Sequence, residues 1–520
     1  MFANRKWLSW AAGALAIALI LAALDHQGSF FAAFLGYLVI VSLGAAVLGF
    51  FWRQIGAERS PRGVALALAA AVLLRLLLGT GLFFALPAVG YDTKPQNQGY
   101  VYYDAYARDT DAYARGRSDR PLTSAFADRT ASDQYGGLLL VSSAAYRYLS
   151  EGVHRPLMIV VLAAAVSSLA VIFTWGFGAI LFGSRVGLLA AWIVAIYPDY
   201  ALLGASQMRE AFFVPGLASA LYGYARLRLG DQAQALLYMG LGVALALLVS
   251  PPNALLALVL VGALWLVSGR QEEQQWPLIL LAGALLLFIG LAMTVQAWSG
   301  IQGLPEGGPF GVLVGWLTEG AAFQLTQLEE GSGWVQKMFE LTPAWSHAPL
   351  ATFYGLTLPF LPAALADNSG APIWQAIAIF RSVGWYALLP ALVYGTLAAF
   401  TAKKRRSLLL LLVLIIWSGA VLASYRAGGD LWDNPRYRTA FISLQAVLAA
   451  WAWVTARHRA SAWLRRWYVT ILGASAIFLH WYIGRYYGTP RLSLNLTLAL
   501  TVGFVVFYLA VNWWRDSRQT

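Results

Sequence analysis

The side chains with chemistry to offer in this chain fall in three short stretches. The first reads Asp104-Ala-Tyr-Ala-Arg-Asp109-Thr-Asp111-Ala-Tyr113-Ala-Arg115-Gly116. Carboxylates interleaved with tyrosines can take a proton from a hydroxyl as a general base, or hold a divalent cation through oxygen. The same composition also describes a plain solvated acidic loop, the commoner case. The second stretch is Tyr197-Pro198-Asp199-Tyr200, followed by Ser206-Gln207-Met208-Arg209-Glu210-Ala211-Phe212. Arg209 and Glu210 stand where an apolar block begins. Ionisable groups are costly at that depth, so the pair is either a local salt bridge or a site. The third stretch holds Arg426, Asp430 and Asp433-Asn434-Pro435-Arg436-Tyr437-Arg438. Two arginines around a tyrosine at a helix start suit a phosphate. A guanidinium grips two oxygens at once, and a helix N-terminus adds a positive field. Salt bridging to Asp430 and Asp433 is the alternative use.

The elements that must position these stretches are membrane spans. Hydrophobic residues make up 59% of the 520 residues and charged residues 12%, against about 25% charged in soluble domains. Mean hydropathy is +0.62. The apolar residues gather in blocks near 7–24, 31–52, 64–87, 156–182, 186–200, 206–226, 234–250, 252–268, 277–297, 381–400, 407–424, 438–456, 467–484 and 493–514. Most approach the roughly 20 residues that cross a bilayer, so the fold class is an all-α polytopic membrane protein of about 14 transmembrane helices. The block 7–24 is long for a cleaved signal and reads as a retained first span.

Charge orients the chain. With the N-terminus in the cytoplasm, the alternating loops on that side include Arg53–Arg62, Thr401–Arg406, Arg457–Arg466 and the tail from Arg515, and nearly all are basic. That is the pattern of cytoplasmic loops, and it accounts for the net charge of +12 without nucleic acid. Both termini are therefore expected in the cytoplasm. The opposite side carries two long loops, 88–155 and 298–380. The first holds Asp92, Asp104, Asp109, Asp111, Asp119, Asp128 and Asp133, and its segment Gln134–Leu149 reads as an interfacial helix. The second mixes Gly, Pro and Trp with apolar runs such as Ala351–Leu365, a pattern of short helices at the interface. Arg75 lies mid-span and needs a partner inside the bundle. His347 reads as a surface histidine. With no cysteine there is no thiolate nucleophile and no Cys-ligated metal. No Gly-rich phosphate cradle is present, which argues against an ATP-driven transporter within this chain.

In this order and on this side, the three stretches resemble the C-type (GT-C) superfamily of integral membrane glycosyltransferases, which includes protein O-mannosyltransferases and the aminoarabinose transferases of lipid A. Asp109-Thr-Asp-Ala-Tyr113-Ala-Arg-Gly116 fits the first outer loop of that group. The helix through Tyr148 fits its closing element, Tyr197-Pro198 and Glu210 its next turn and span, and Arg436-Tyr437 its late Arg-Tyr pair. The sequence departs from the pattern in three ways. Two spans precede the usual first one, Ser250-Pro251-Pro252 replaces a basic residue before a proline, and the paired Asp-Glu of the mannosyltransferases is missing.

The resemblance implies four regions: an added hairpin at 1–63, a catalytic transmembrane module at 64–300 with outer loop 88–155, an outer loop with interfacial helices at 301–380, and C-terminal spans at 381–520. It implies transfer of a sugar, with inversion, from a polyprenyl-phosphate donor to a lipid, glycan or protein acceptor at the extracytoplasmic face of the cell envelope. Asp104, Asp109, Asp111 and Glu210 are the catalytic candidates; Tyr113, Arg209, Arg436, Tyr437 and Arg438 are those for substrate binding. A divalent cation is left open as cofactor, with its ligands unassigned. Beyond the donor and acceptor the partners are membrane lipids, with no nucleic acid. Rival readings are a polymerase or ligase of lipid-linked polysaccharide, which would lean on Arg and His of the late loop, and a transporter or flippase. A transporter would need polar residues at mid-depth in several spans and matched halves; only Arg75 is clearly charged at that depth.

Overall fold

The computed structural model describes residues 2–25, 27–55, 62–126, 133, 135–268, 284, 333–368, 370–427 and 433–518. No strand occurs among the described residues. A helix satisfies its own N–H and C=O groups, which lipid cannot do for it. Eight of the described helices are long and apolar enough to cross a membrane, or nine if one bent pair counts as a single span. The expected span 277–297 lies outside the described residues. The chain divides into two compact units, Met1–Gly262 and Ala263–Thr520.

The first unit is built around α7 (Pro156–Phe182), which is buried along most of its length. It is apolar on every side, as a helix surrounded by other helices must be. The opening hairpin, α1 (Phe2–Leu24) and α2 (Phe30–Gln54), packs on it: Ala18, Ala22, Ala33 and Tyr37 cluster with Leu157, Met158 and Val161. Small residues permit this close approach. A Cβ on Gly36 would lie 2.4 Å from the Leu149 carbonyl. Around α7 also stand α3 (Arg62–Val89), α8 (Ser184–Ile196), α9 (Pro198–Gly204) and α10 (Glu210–Leu227), the last packed on α11 (Gln232–Val249). Then follows α12 (Pro251–Ser268).

The expected span 186–200 is not one helix. It bends by 59° between α8 and α9. Pro198 has no N–H, so the Val194 carbonyl four residues earlier loses its helical partner. Arg75 of α3, fully buried, supplies the missing donors. Its Nη2 reaches the Val194 carbonyl at 3.4 Å and its Nη1 the Ala195 carbonyl at 3.1 Å. The guanidinium also lies 4.8 Å from the centre of the Tyr200 ring. The partner that the sequence left unnamed is therefore the backbone of the bend, where the exposed carbonyls of a helix end favour a cation.

Between α3 and α7 the long acidic loop folds into α4 (Lys94–Asn97), α5 (Tyr103–Gly116), a 3-10 turn at Leu122–Phe126 and α6 (Gly137–Leu149). The helix expected over 134–149 starts at Gly137. Gly136 precedes it with φ +74, and a Cβ there would collide with the Ala125 carbonyl.

In the second unit, the loop segment contains α13 (Gly333–Glu340), α14 (His347–Thr357) and α15 (Leu361–Ala366). The apolar run Ala351–Leu365 is thus divided at Leu358-Pro359. His347 is not a loose surface residue: its ring stacks on Phe339 with centres 4.4 Å apart, and its Nε2 lies 3.0 Å from the carbonyls of Phe339 and Thr342. The remaining helices are α16 (Pro372–Phe400), α17 (Arg406–Ala427), α18 (Asp433–Thr439), α19 (Ile442–His458), α20 (Trp463–Tyr487) and α21 (Leu494–Ser517). The expected span from 438 opens instead at Ile442, behind the short helix that carries Arg436 and Arg438.

Candidate active site

The α5 helix divides the acidic stretch between two faces. At 3.6 residues per turn, Asp104, Arg108, Asp111 and Arg115 share one face, and Ala105, Asp109, Ala112 and Gly116 share the next. The second face is buried, and Ala112 is fully so. It lies against α6, where Tyr146 presents its hydroxyl.

Asp109 is 1% exposed and fully occupied. Oδ1 accepts from the Tyr146 hydroxyl at 2.6 Å, and Oδ2 from the Tyr100 hydroxyl at 2.5 Å. His154 Nε2 lies 2.6 Å from Oδ2. The His154 ring stacks on Tyr113, with centres 4.5 Å apart, and the Tyr113 hydroxyl donates to the Gly152 carbonyl. Burial, then the charge of Asp109, pushes the Tyr100 and Tyr146 phenols well above their ordinary value. Both remain neutral donors to the carboxylate.

The other face enters a cluster of charge. Arg108, 2% exposed, donates to the Gln207 carbonyl in the turn before α10. Burial pushes this guanidinium down to about 10; neighbouring Arg209 pushes the same way, and Asp133, Asp104 and Glu210 oppose it. Asp133 is fully buried. It accepts from the Leu139 N–H at the start of α6 and pairs with Arg209 at 3.2 Å. Arg209 also lies 5.0 Å from the centre of the Tyr135 ring. The first and second sequence stretches therefore meet: Asp104, Arg209 and Glu210 gather round Arg108. Asp111 and Tyr113 are half-buried farther along α5. Asp199 is buried within α9.

Arg436, Tyr437 and Arg438 belong to the second unit. Arg438 is fully buried there, its guanidinium 3.4 Å from the centre of the Trp385 ring and its Nη2 donating to the Leu358 carbonyl at 3.0 Å. Arg436 is half-buried, with its guanidinium 5.4 Å from the Tyr437 ring. Asp430 and the side chains of Arg426 and Asp433 lie outside the described residues. Among the described residues, no three His, Asp or Glu side chains are grouped closely enough to hold a metal.

Sequence reasoning missed His154, Tyr146 and Tyr100. The signal at 154 was slight: a histidine and an arginine directly before Pro156 and a long apolar block. Nothing in the spacing connects His154 to Asp109. Asp133 was noticed only as one acidic residue among several.

Residues 152–295 match the family model of dolichyl-phosphate-mannose-protein mannosyltransferases. The resemblance to the C-type superfamily of integral membrane glycosyltransferases is borne out by this match. No curated protein matches the chain. Among solved structures the chain is similar to the archaeal oligosaccharyltransferase AglB from Archaeoglobus fulgidus in complex with an inhibitory peptide and a dolichol-phosphate, at 16% identity and a TM-score of 0.40, over 86% of this chain and 54% of that one. The apo form of the Archaeoglobus fulgidus oligosaccharyltransferase is similar at 15% identity and a TM-score of 0.37, over 84% of this chain and 54% of that one. This chain spans about half the length of those proteins.

Proposed function

We propose that the chain is a multi-pass membrane glycosyltransferase, moving a sugar from a polyprenyl-phosphate donor to an acceptor hydroxyl at the extracytoplasmic face. The observation that carries this reading is the convergence of Asp104, Arg209 and Glu210 round the buried Arg108. An outer-loop carboxylate is thereby held against the start of a span. The family match over 152–295 supports the same reading.

The catalytic base is Asp104. It sits in the first turn of α5 and is half-buried, not sealed. Asp109 is the weaker choice, because three donors already engage its two oxygens. Asp104 takes the proton of the acceptor hydroxyl as that oxygen attacks the anomeric carbon. The bond from that carbon to the phosphate oxygen breaks, and polyprenyl phosphate leaves from the opposite side, which inverts the centre. Arg209 and Glu210 set the acceptor side of the cluster. The resemblance, and no placement of the two units, offers a late arginine for the charge that develops on the phosphate; of the two, Arg436 is less enclosed than Arg438.

The test is transfer from short-chain polyprenyl-phosphate sugars by the purified protein in lipid vesicles. Asp104→Asn should lower the rate by roughly 10²–10⁴-fold, far more than any loss of inserted, folded protein accounts for. Full activity of Asp104→Asn, Asp109→Asn and Asp111→Asn together would refute the reading.

A further inference from the structure

Beneath Asp109 lies a cavity of about 30 Å³, lined by Leu82, Phe83, Tyr100, Asp109, Val160 and Gln207. That volume suffices for a water molecule and is far below the size of a sugar ring. Its walls are mostly hydrocarbon, from α3 and α7, and the polar groups converge from α5 and the turn before α10.

The group that asks for an explanation is Gln207. The residue is 4% exposed. Nε2 meets the Ser142 hydroxyl at 2.5 Å, and Oε1, buried, has no hydrogen-bond partner. Reversing the amide moves the vacancy to the nitrogen without removing it, because only one end of the group reaches Ser142. A buried amide end without a partner has lost its water and gained nothing in exchange. Its place along the chain is fixed independently, since the Gln207 carbonyl accepts from Arg108. The amide is thus anchored to the charged cluster, with one end unspent, at a cavity that Asp104's neighbour Ala105 also lines.

We propose that this cavity is a subsite for a hydroxymethyl group of the transferred sugar, and that Gln207 is the specificity-determining residue that binds its hydroxyl. The methylene lies against Phe83 and Val160, and the hydroxyl takes the unspent end of the amide. The site then favours a hexosyl donor over the matched 6-deoxyhexosyl and pentosyl donors. The methyl or hydrogen of those sugars leaves the amide unpaired. A pocket built to bond a hydroxyl discriminates in this way, whereas a purely apolar one scarcely does.

The inference rests on the glycosyltransferase reading, and the experiment separates the two. Short-chain polyprenyl phosphates bearing a hexose, its 6-deoxy form and the corresponding pentose are offered to the purified protein in vesicles, and kcat and KM are measured for each. The wild type should prefer the hexose by on the order of tenfold to hundredfold in kcat/KM. Gln207→Leu should erase that preference chiefly by lowering kcat/KM for the hexosyl donor. Gln207→Asn, which keeps an amide but withdraws it, should give an intermediate ratio. Melting of each variant in detergent guards against a folding defect, because a weakened fold lowers all three rates together and leaves their ratio intact. A wild-type preference that survives Gln207→Leu overturns the subsite while the transferase reading stands; the cavity then holds an ordered water only. A wild type without the preference also overturns it. A wild type that transfers none of the sugars overturns both.

Discussion

Asp109 and His154 stand 45 positions apart in the chain and meet at 2.6 Å. The contact ties the loop helix α5 to the residues that lead into α7, the central helix of the first unit. Tyr100 and Tyr146 complete the shell. The network adds to the apolar packing of Ala112 on Leu139 and Tyr146 and to the Arg147 hydrogen bonds to the Arg115 and Gly116 carbonyls, which hold α5 on α6. Whatever chemistry Asp104 performs depends on this placement.

Asp109→Asn should therefore lower stability as well as rate. The amide keeps the shape but replaces one acceptor oxygen with an N–H₂ that faces a donor. The cost should be about 1–3 kcal/mol, read as a lower melting temperature in detergent. Asp104→Asn, which withdraws one of the carboxylates that face Arg108, should lower melting less than Asp109→Asn. If the two variants melt alike, the division of labour between the two faces of α5 is wrong.

Alkaline stability should follow the tyrosines. Burial and Asp109 raise the Tyr100 and Tyr146 phenols in the folded state above the ordinary 10.0. Below that pH both states are neutral, and the contribution is fully present. Above it the unfolded phenols ionise first, so stability falls as pH rises further. Replacing both tyrosines with Phe should make the decline beyond about pH 10 shallower than in the wild type, even though the variant starts less stable. A slope that does not change would mean that other groups govern the alkaline limb.

Arg75→Leu should unsettle the bend between α8 and α9. It would strip donors from the Val194 and Ala195 carbonyls, and no water reaches a fully buried site to replace them. Destabilisation of about 2–5 kcal/mol is expected, in the range for breaking a buried charge-assisted contact. Gly204→Ala should act on the same place, because a Cβ there would lie 2.6 Å from Arg75 Nε and 2.5 Å from Ser167 Oγ. Normal melting of both variants would show that the bend holds without the arginine.

These features differ in how far the sequence disclosed them. Spans were legible because hydrocarbon thickness sets a length, and α2, α3, α7 and α17 fall close to their blocks. The bend at Pro198 was present as a Tyr-Pro pair, yet an apolar run looks continuous whether or not a proline breaks it. The opening of α10 at Glu210 was read directly, because a charge beside an apolar block marks an end. The site was half legible. Residue types named Asp104, Arg209 and Glu210 as candidates, but the two faces of α5 follow only once the stretch is known to be helical. His154 and Gln207 were beyond reach, since a single polar residue carries no periodicity and its partners lie far along the chain.

Orientation is testable in a chain without cysteine. Cysteines introduced at the exposed positions Asp119 and Glu340 should react with an impermeant thiol reagent in intact cells. A cysteine at exposed Lys403 should react only after permeabilisation. The reverse pattern would place the acidic cluster in the cytoplasm and end the extracytoplasmic reading.

The two late arginines should separate cleanly under conservative substitution. Arg438 is spent on structure: stacked on Trp385 and bonded to the Leu358 carbonyl, it holds the short helix α18 to the loop ahead of α15. Lysine there cannot stack as a plane, so Arg438→Lys should lower melting, with loss of transfer only in proportion to lost folded protein. Arg436 is half-buried on the same short helix. If it meets the donor phosphate, Arg436→Lys should leave melting intact and raise KM for the polyprenyl-phosphate donor on the order of tenfold, because a point ammonium cannot replace a two-pronged guanidinium. Alanine at 436 should do more of the same and lower kcat as well, since the leaving phosphate gains charge as the bond breaks. Measuring donor and acceptor dependence separately decides the matter. A phosphate clamp changes the donor term, whereas a misplaced loop changes both. Arg436→Lys and Arg436→Ala with wild-type donor kinetics would remove Arg436 from the site and leave the phosphate to be met by some other cation.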